Sequence, residues 1–224
     1  MSGLTKLQSE VLKVLASSPL RERFYLTGGT LLAARYLHHR LSQDLDFFSR
    51  EPFAHQELLG FINELKKHTQ LTDIEEKKIF DRWEFFLHNE DNVRLEFVRY
   101  NYPALGPREI WQGVLVDSLD DIAANKTLAL IDRNEPKDAF DLYCILTKAE
   151  YTIARLLELV EKKFSIYLEE GLVWSEALKS AGELETLSPL IEDQDKNGGV
   201  NLLRDIEAYF EDRSREFLRG KLEE

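Results

Sequence analysis

The chain has 224 residues, of which 43% are hydrophobic and 31% are charged, a composition typical of a soluble globular protein with one large domain or two small ones. Its formal net charge of -12 disfavours sequence-independent binding of RNA or DNA, because general nucleic-acid binders are usually basic. The single cysteine, Cys144, excludes an intrachain disulfide. No segment approaches the roughly 20 apolar residues that span a bilayer, and residues 1–13 lack the pattern of a signal peptide, so we expect a cytoplasmic protein.

The first part of the chain alternates between helical and extended periodicity. Apolar residues recur every three to four positions in some segments, which indicates helices, and form short continuous runs in others, which indicates buried strands. In chain order these segments predict a helix over residues 7–15, a strand over 24–26, a short helix over 30–37, a strand over 45–48 and a helix from Pro52 to about His68. Pro52 is placed at the start of the last helix because proline is favoured in a first helical turn.

The middle of the chain has a period of two. Apolar side chains alternate with other residues over positions 83–88 and again over 93–98, and the polar segment 89–92 separates the two runs. This pattern predicts a β-hairpin. Residues 71–80 and 110–116 are expected to add one strand on each side of it.

From Ser118 onward the periodicity is helical. Helices are predicted over residues 119–132, 136–148, 152–164, 171–181 and 201–220. The polar, glycine-containing segment from Asp193 to Gly199 predicts a loop. The sequence therefore predicts an α+β protein, with a mixed α/β domain over residues 1–117 and a helical domain over 118–224.

Two adjacent glycines, Gly28 and Gly29, lie between the first strand and the helix that follows it. Because glycine has no Cβ, the backbone can turn sharply there and approach a triphosphate closely. The free N–H groups at the start of the helix near Thr30 would point at the phosphates. The Thr30 hydroxyl would either cap this helix or contact phosphate.

Two carboxylates, Asp44 and Asp46, follow one helix later on the second predicted strand. Side chains at i and i+2 of a strand point to the same face, with their Cα atoms about 6.6 Å apart. That spacing suits a pair of magnesium ions, which prefer oxygen ligands. Glu96, on the polar face of the second hairpin strand, is the candidate third carboxylate. Arg94 lies on the same face and is expected to pair with Glu96 or with phosphate.

Each of these motifs is unspecific alone, since a Gly-Gly is usually a turn and an Asp-x-Asp is usually a solvated strand end. Their order in one short stretch is much more specific: residues 24–33 and 40–48 resemble the nucleotidyltransferase superfamily typified by DNA polymerase β. More closely, they resemble the abortive-infection toxins of the AbiEii/AbiGii type. A downstream helical signature of that branch is matched by Lys126, Arg133 and residues 137–143. The resemblance covers roughly residues 20–150, and Glu96 stands where aspartate is more frequent.

The resemblance implies a polymerase β-like nucleotidyltransferase domain with a small mixed sheet, followed by a helical C-terminal domain. By position it implies nucleotide contact at Gly28 and Gly29, metal binding at Asp44, Asp46 and Glu96, phosphate contact at Lys126, and support from Asp138 or Asp141. It further implies a bacterial toxin–antitoxin or phage-defence toxin that uses Mg²⁺ and an NTP. The implied acceptor is RNA, tRNA ends among them, and the implied protein partner is a cognate antitoxin.

The residues themselves leave several of these roles open. Lys126 and Arg133 are seven positions apart and share a helix face, where the two cations either hold the pyrophosphate leaving group or form a solvated surface. Asp138 lies in a first helical turn, where a carboxylate also favours the helix dipole, so a catalytic and a structural role are both open. The basic segments Lys66-Lys67-His68 and Lys77-Lys78 form either a basic edge for RNA or a solvated face.

Two alternatives to an RNA-modifying enzyme also stay open. The fold could serve as a nucleotide-binding or protein-interaction module without turnover, although the complete carboxylate set argues against this. The enzyme could instead modify a small molecule such as an aminoglycoside, which an acidic surface near the site would attract. The sequence does not determine which NTP is used.

Overall fold

The structure, a computed structural model, describes residues 3–191 and 198–223. The chain forms two compact units. The first comprises Met1–His38 and Ser42–Leu119, and the second comprises His39–Leu41 and Asp120–Glu224. Within the described residues, no helix is both long enough and apolar enough to cross a membrane.

A mixed seven-stranded sheet forms the centre of the first unit. Its strands are β1 (Tyr25–Thr27), β2 (Leu45–Ser49), β3 (Asp73–Ile79), β4 (Arg82–His88), β5 (Asn92–Arg99), β6 (Glu109–Trp111) and β7 (Val114–Val116). They are ordered β3-β4-β5-β2-β1-β7-β6. β2 is antiparallel to β1 but parallel to β5, and β1 is parallel to β7. The predicted strands before Gly28 and after Asp44, and the predicted hairpin, are thereby confirmed.

An aromatic cluster centred on Phe97 fills one face of this sheet. Phe97 is fully buried and stacks on Phe47 of the neighbouring strand at 5.3 Å between ring centroids. Phe24, Phe61 and Phe85 meet its ring edge-on at 5.2–6.1 Å. Because successive side chains of a strand point to opposite faces, burial of Phe97 and Phe47 turns Glu96 and Asp46 to the other face.

The helices of the first unit differ from the predictions at their starts. They are α1 (Lys6–Ala16), α2 (Gly28–Leu31), which continues as a wider π-helical segment over Leu32–Leu37, and α3 (His55–His68). The helix predicted from residue 30 therefore begins at the first glycine. The prediction that Pro52 opens a helix is wrong, because the chain stays extended until Ala54, where the side chain of Glu57 caps the backbone. Phe53 precedes α3 and packs against Phe24.

Residues 110–116, predicted as one strand, form the short hairpin of β6 and β7. Trp111 and Val114 are paired, and the two residues between them, Gln112 and Gly113, both have positive φ angles of 52° and 82°. Positive φ at both central residues is the geometry of tight two-residue hairpin turns. Glycine at the second position adopts its positive φ angle without backbone strain.

The second unit is helical, as predicted. Its helices are α4 (Leu119–Arg133), α5 (Pro136–Thr147), α6 (Ile153–Phe164), α7 (Glu170–Ala181) and α8 (Gly198–Glu223), with a 3₁₀ helix over Leu184–Leu190. The loop predicted from Asp193 to Gly199 falls mostly outside the described residues, and its last two positions lie in α8.

Candidate active site

Three neighbouring strands bring acidic residues into one row across the sheet. Asp46 of β2 lies directly opposite Glu96 of the parallel strand β5, and Glu96 lies opposite Glu84 of β4. On its other side Asp46 is opposite Thr27 of β1. Residues opposite each other on adjacent strands share a face and are about 4.8 Å apart. The row therefore places three carboxyl side chains side by side on the face away from Phe97.

Gly28 lies directly against this row. Its φ angle is +76°, a conformation that only glycine adopts without steric cost. A Cβ atom built at this position would overlap Oδ2 of Asp46 and would lie 2.7 Å from its Cγ. The glycine is thus required twice, once by the backbone conformation and once by the carboxylate that occupies the space of its missing side chain.

Asp44 lies one residue before β2 and is fixed through its own backbone. The Thr30 hydroxyl is buried, donates to the carbonyl oxygen of Asp44 and lies 2.9 Å from the Ser42 hydroxyl. The side chain of Thr27, at the start of α2, makes no capping hydrogen bond. The Thr30 hydroxyl therefore holds the Asp44 loop and does not cap the helix, and its contact with phosphate stays a prediction.

Two arginines pair with the carboxylates. Arg94 Nη2 donates to Asp44 Oδ2 at 2.7 Å, and Arg94 Nη1 lies 3.5 Å from Glu84 and 3.6 Å from Glu96. Arg82 lies 3.3 Å from Glu84 and 3.4 Å from Glu96. The predicted proximity of Arg94 and Glu96 is confirmed, and the two guanidinium groups offset part of the acidic charge.

The acidic row perturbs the ionisation of Glu96. Burial of this carboxyl and the nearby charge of Asp46 raise its pKa, and Arg82 and Arg94 only partly offset that effect. A carboxyl that resists ionisation beside another carboxylate is a common property of functional sites. A cation placed beside Glu96 and Asp46 would stabilise their ionised forms.

The side chains suit a magnesium ion in chemistry but are not arranged around one. Asp44, Asp46 and Glu96 supply the hard oxygen donors that magnesium prefers, and Gly28 lets the Asp46 carboxylate pack directly against the backbone. Across the described ranges, no group of three or more acidic, histidine or cysteine side chains is arranged to hold a metal ion. In this arrangement Arg94 contacts both Asp44 and Glu96.

The second unit holds the remaining predicted site residues in a buried ionic network. Asp141 of α5 is fully buried and accepts hydrogen bonds from Arg40 Nε at 2.8 Å and Arg40 Nη2 at 2.9 Å. His39 Nε2 and Lys126 Nζ each lie 2.7 Å from its carboxylate. Burial alone would raise the pKa of Asp141, but the charges of Lys126 and Arg40 outweigh it and hold that pKa well below its usual value.

Asp138 belongs to the same network. Lys126 Nζ donates to its Oδ1 at 3.0 Å, and Arg133 donates to both oxygens at 2.7 and 2.8 Å. Lys126 and Arg133 do share a helix face, as predicted. Their common partner is this carboxylate, and the Lys126 ammonium, with 6% of the residue exposed, is already neutralised by two aspartates. This geometry departs from the expectation that Lys126 meets a phosphate.

Sequence reasoning missed Glu84 and Arg82. A signal for Glu84 was present, because it alternates with Trp83 and Phe85 just as Glu96 alternates with Leu95 and Phe97, and the hairpin pairs the two strands. Glu84 is 3% exposed, so a carboxylate buried between apolar neighbours marked the same face. Arg82 had no comparable signal.

The whole chain resembles known proteins. The model of the AbiEii nucleotidyl transferase toxins of type IV toxin–antitoxin systems matches residues 10–219. An uncharacterized protein of Aquifex aeolicus (strain VF5) is 30% identical over all of this chain and 98% of its own length. A Helicobacter pylori protein assigned as a nucleotidyltransferase has a similar crystal structure, with a TM-score of 0.61, 19% identity and 95% of each chain covered. The H. pylori protein JHP933 gives 0.60 and 19%, with 98% of this chain and 96% of the other covered.

Proposed function

Since this chain belongs to the AbiEii nucleotidyl transferase toxin family of type IV toxin–antitoxin systems, we propose that it transfers a nucleoside monophosphate from an NTP to RNA with the help of Mg²⁺. The family and the shared fold make the chain a nucleotidyltransferase with an NTP substrate and a cognate antitoxin. The metal, the acceptor and the residues that act are our proposal.

One observation carries the assignment of the site: Asp46 and Glu96 are register partners on parallel strands, and Gly28 is packed against Asp46. Glu96 lies 50 residues beyond Asp46 in the sequence, and each of the three residues would be a poor choice for a merely structural sheet. Asp46 is half-buried and Glu96 is buried, and a like charge nearby disfavours the ionised form of a carboxyl, so a cation bound between them would be stabilised, and a left-handed glycine keeps side-chain atoms away from that cation. We therefore assign Asp44, Asp46 and Glu96 as the magnesium ligands.

The chain's own groups position the reactants. Gly28 and Gly29 let the backbone approach the triphosphate. When the carboxylates bind metal, Arg94 is freed to pair with phosphate oxygens, which its planar guanidinium matches in a bidentate way. Thr30 acts indirectly, by holding the backbone of Asp44. When bound, magnesium neutralises phosphate charge and favours the deprotonated form of the attacking hydroxyl.

The reaction is an in-line displacement at the α-phosphorus. A bond forms between the acceptor hydroxyl oxygen and that phosphorus, and the bond to the bridging oxygen breaks. Pyrophosphate leaves with the electron pair, and a carboxylate of the acidic row accepts the proton of the hydroxyl. In the second unit we propose a supporting role for Lys126, Asp138 and Asp141, because their charges satisfy one another inside that unit.

The proposal is tested with each α-labelled NTP, Mg²⁺ and total RNA. Asp46→Asn keeps the shape of the side chain and removes its charge, so transfer should fall by at least about 100-fold, the upper range for losing even an indirect metal partner. Asp73→Asn on β3 is the matched control, since Asp73 is exposed and should not matter. EDTA should abolish transfer and added Mg²⁺ should restore it.

Several outcomes would refute parts of the proposal. Full transfer by a folded Asp46→Asn variant would refute the metal assignment. Label that appears on a protein or on an aminoglycoside, but never on RNA, would refute the acceptor. Binding of Mg²⁺ and NTP without any labelled product would favour a module without turnover.

A further inference from the structure

A shallow groove of about 210 Å³ lies at the β3 side of the sheet. It is lined by Phe53, Lys78, Phe80, Trp83 and Arg99, among others. Trp83 is opposite Phe97 in the sheet and alternates with Glu84, so it lies on the face away from the acidic row. The groove is smaller than the roughly 300–1,000 Å³ pockets that enclose small ligands, which suits an open surface for one unit of a polymer.

Phe80 is the unusual residue of this groove. It occupies the two-residue turn between β3 and β4, because Ile79 and Arg82 are paired. Its φ angle is 51°, in the left-handed region where a bulky side chain is a clear outlier and glycine or asparagine is favoured. The residue is nevertheless 92% exposed. The fold thus holds an aromatic ring in solvent at a strained position, from which it gains no burial.

The other ring of the groove is fixed. His55 stacks on Trp83 with centroids 3.9 Å apart and planes within 7°, and the Lys78 ammonium lies 5.1 Å from the Trp83 centroid. His55 is in turn 2.7 Å from Glu76. These contacts hold Lys78 at the groove and leave the Phe80 ring as the aromatic surface in solvent.

The charge of the groove is opposite in sign to that of the protein. Lys78 and Arg99 are both exposed cations, and Asp81 is the acidic member of the lining, whereas the chain as a whole carries -12. Exposed aromatic rings beside cations form the usual surface for single-stranded nucleic acid, where bases stack and phosphates are neutralised. A protein partner of an apolar kind would gain little from the two cations.

We propose that this groove binds an unpaired segment of the acceptor RNA, with one base stacked on Phe80 and the neighbouring phosphates paired with Lys78 and Arg99. This inference rests on the proposed function, since it supplies a binding surface for the proposed acceptor. Double-stranded RNA should bind more weakly, because its bases are stacked inside the helix and are not free to meet Phe80.

Fluorescence anisotropy with a short, unstructured, labelled RNA tests the groove without NTP or Mg²⁺. Phe80→Ala should weaken binding by about 5- to 150-fold, the range measured when a stacking aromatic is removed. Phe80→Trp should restore it. Ile110→Ala is the matched control, because Ile110 is also a large exposed apolar residue of the same sheet, 74% exposed on β6. Equal binding by Phe80→Ala and wild type would overturn the proposal.

The cations give a separate measurement. The slope of log Kd against log salt concentration should become shallower by about 0.7 for Arg99→Gln and again for Lys78→Gln, since each phosphate contact to a single strand contributes about that much. Lys13→Gln, at an exposed cation on α1, should leave the slope unchanged. Unchanged slopes for both groove variants would overturn the phosphate contacts.

Phe80→Gly distinguishes a binding role from a structural one. Glycine relieves the strain of positive φ, so this variant should melt at a higher temperature than wild type while binding RNA more weakly. A structural role for the ring predicts a lower melting temperature instead, and that result would overturn the proposal.

The experiments distinguish a wrong groove proposal from a wrong transfer proposal. If wild type labels RNA but the Phe80 variants bind and react as wild type does, the groove is refuted and the transfer proposal stands. If RNA binding depends on Phe80 but no nucleotide is transferred, the groove stands and the transfer proposal is refuted.

Discussion

Replacing Asp141 by asparagine should strongly lower the free energy of unfolding, although the two side chains have the same shape. The carboxylate is fully buried and accepts hydrogen bonds from Arg40 and Lys126 and pairs with His39. Asparagine removes the charge that these cations share and leaves them without full compensation inside the second unit. Removing one partner of a buried ionic network costs about 3–5 kcal/mol.

That cost converts into a large thermal shift. For chains of about 150–250 residues, 1 kcal/mol lowers Tm by about 2–4 °C, so Asp141→Asn should lower it by about 6–20 °C. Circular dichroism melts measure the shift directly. Lys137→Gln is the matched control, because it removes a half-exposed pair with Glu135 that is worth only about 0–1 kcal/mol.

The pH dependence of this difference has a definite sign. The pKa of Asp141 is lowered in the folded state, so its ionised form stabilises the fold at every pH above the unfolded value of about 3.9. The gap between wild type and Asp141→Asn should stay constant between about pH 5 and 8 and shrink only in stronger acid. A Tm within about 2 °C of wild type at pH 7, or a gap that closes near neutrality, would refute the network as described.

Three further predictions concern single residues. Gly28→Ala should abolish nucleotide transfer and lower Tm, because the new methyl group would overlap the Asp46 carboxylate; Gly60→Ala, in α3 where nothing lies within 4 Å, should leave transfer unchanged and should not lower Tm in the same two assays, because alanine is the better helix former. Glu96→Gln should abolish transfer yet raise Tm by about 1–8 °C at pH 7, a typical gain when a strained functional group is neutralised. Because the pKa of Glu96 is raised in the folded state, melts near pH 4 should show that gain vanishing, and a gain independent of pH would contradict the assignment. Burial raises the pKa of the Cys144 thiol to about 12, so thiol reagents at pH 8 should label it only after unfolding, and rapid labelling of the native protein would contradict its burial.

Local patterns were enough to predict most of the elements and the principal acidic residues. The alternation around Glu96 and the Asp44–Asp46 spacing each reflect side-chain direction along one strand, which is set by the residues nearby. Two features could not be predicted locally: the π-helical segment that follows α2, and the late start of α3. Both depend on backbone hydrogen bonds, which the residue composition does not indicate. The split of residues 110–116 was readable in Gln112-Gly113, a dipeptide suited to a tight turn.

The long-range pairings could not be derived in the same way. The parallel register that places Asp46 beside Glu96 depends on how two segments 50 residues apart along the chain pair, and the resemblance to a known family implied only a third carboxylate on a later strand. The pairing of Arg94 with Asp44 and the network around Asp141 are long-range contacts that no periodicity indicates. Lys126 illustrates the limit, because its chemistry suits a phosphate equally well, whereas its position inside the second unit decides in favour of aspartate.

The assignment of residues 39–41 to the helical unit has a consequence for synthesis. Arg40 emerges from the ribosome 101 residues before Asp141, its buried partner. At a synthesis rate of about 5–20 residues per second, Asp141 is made roughly 5–20 s after Arg40. A fragment that begins at residue 118 would lack it permanently. The helical unit is therefore expected to be the last part of a newly made chain to become protease-resistant, and to stay open to degradation until translation has passed α5.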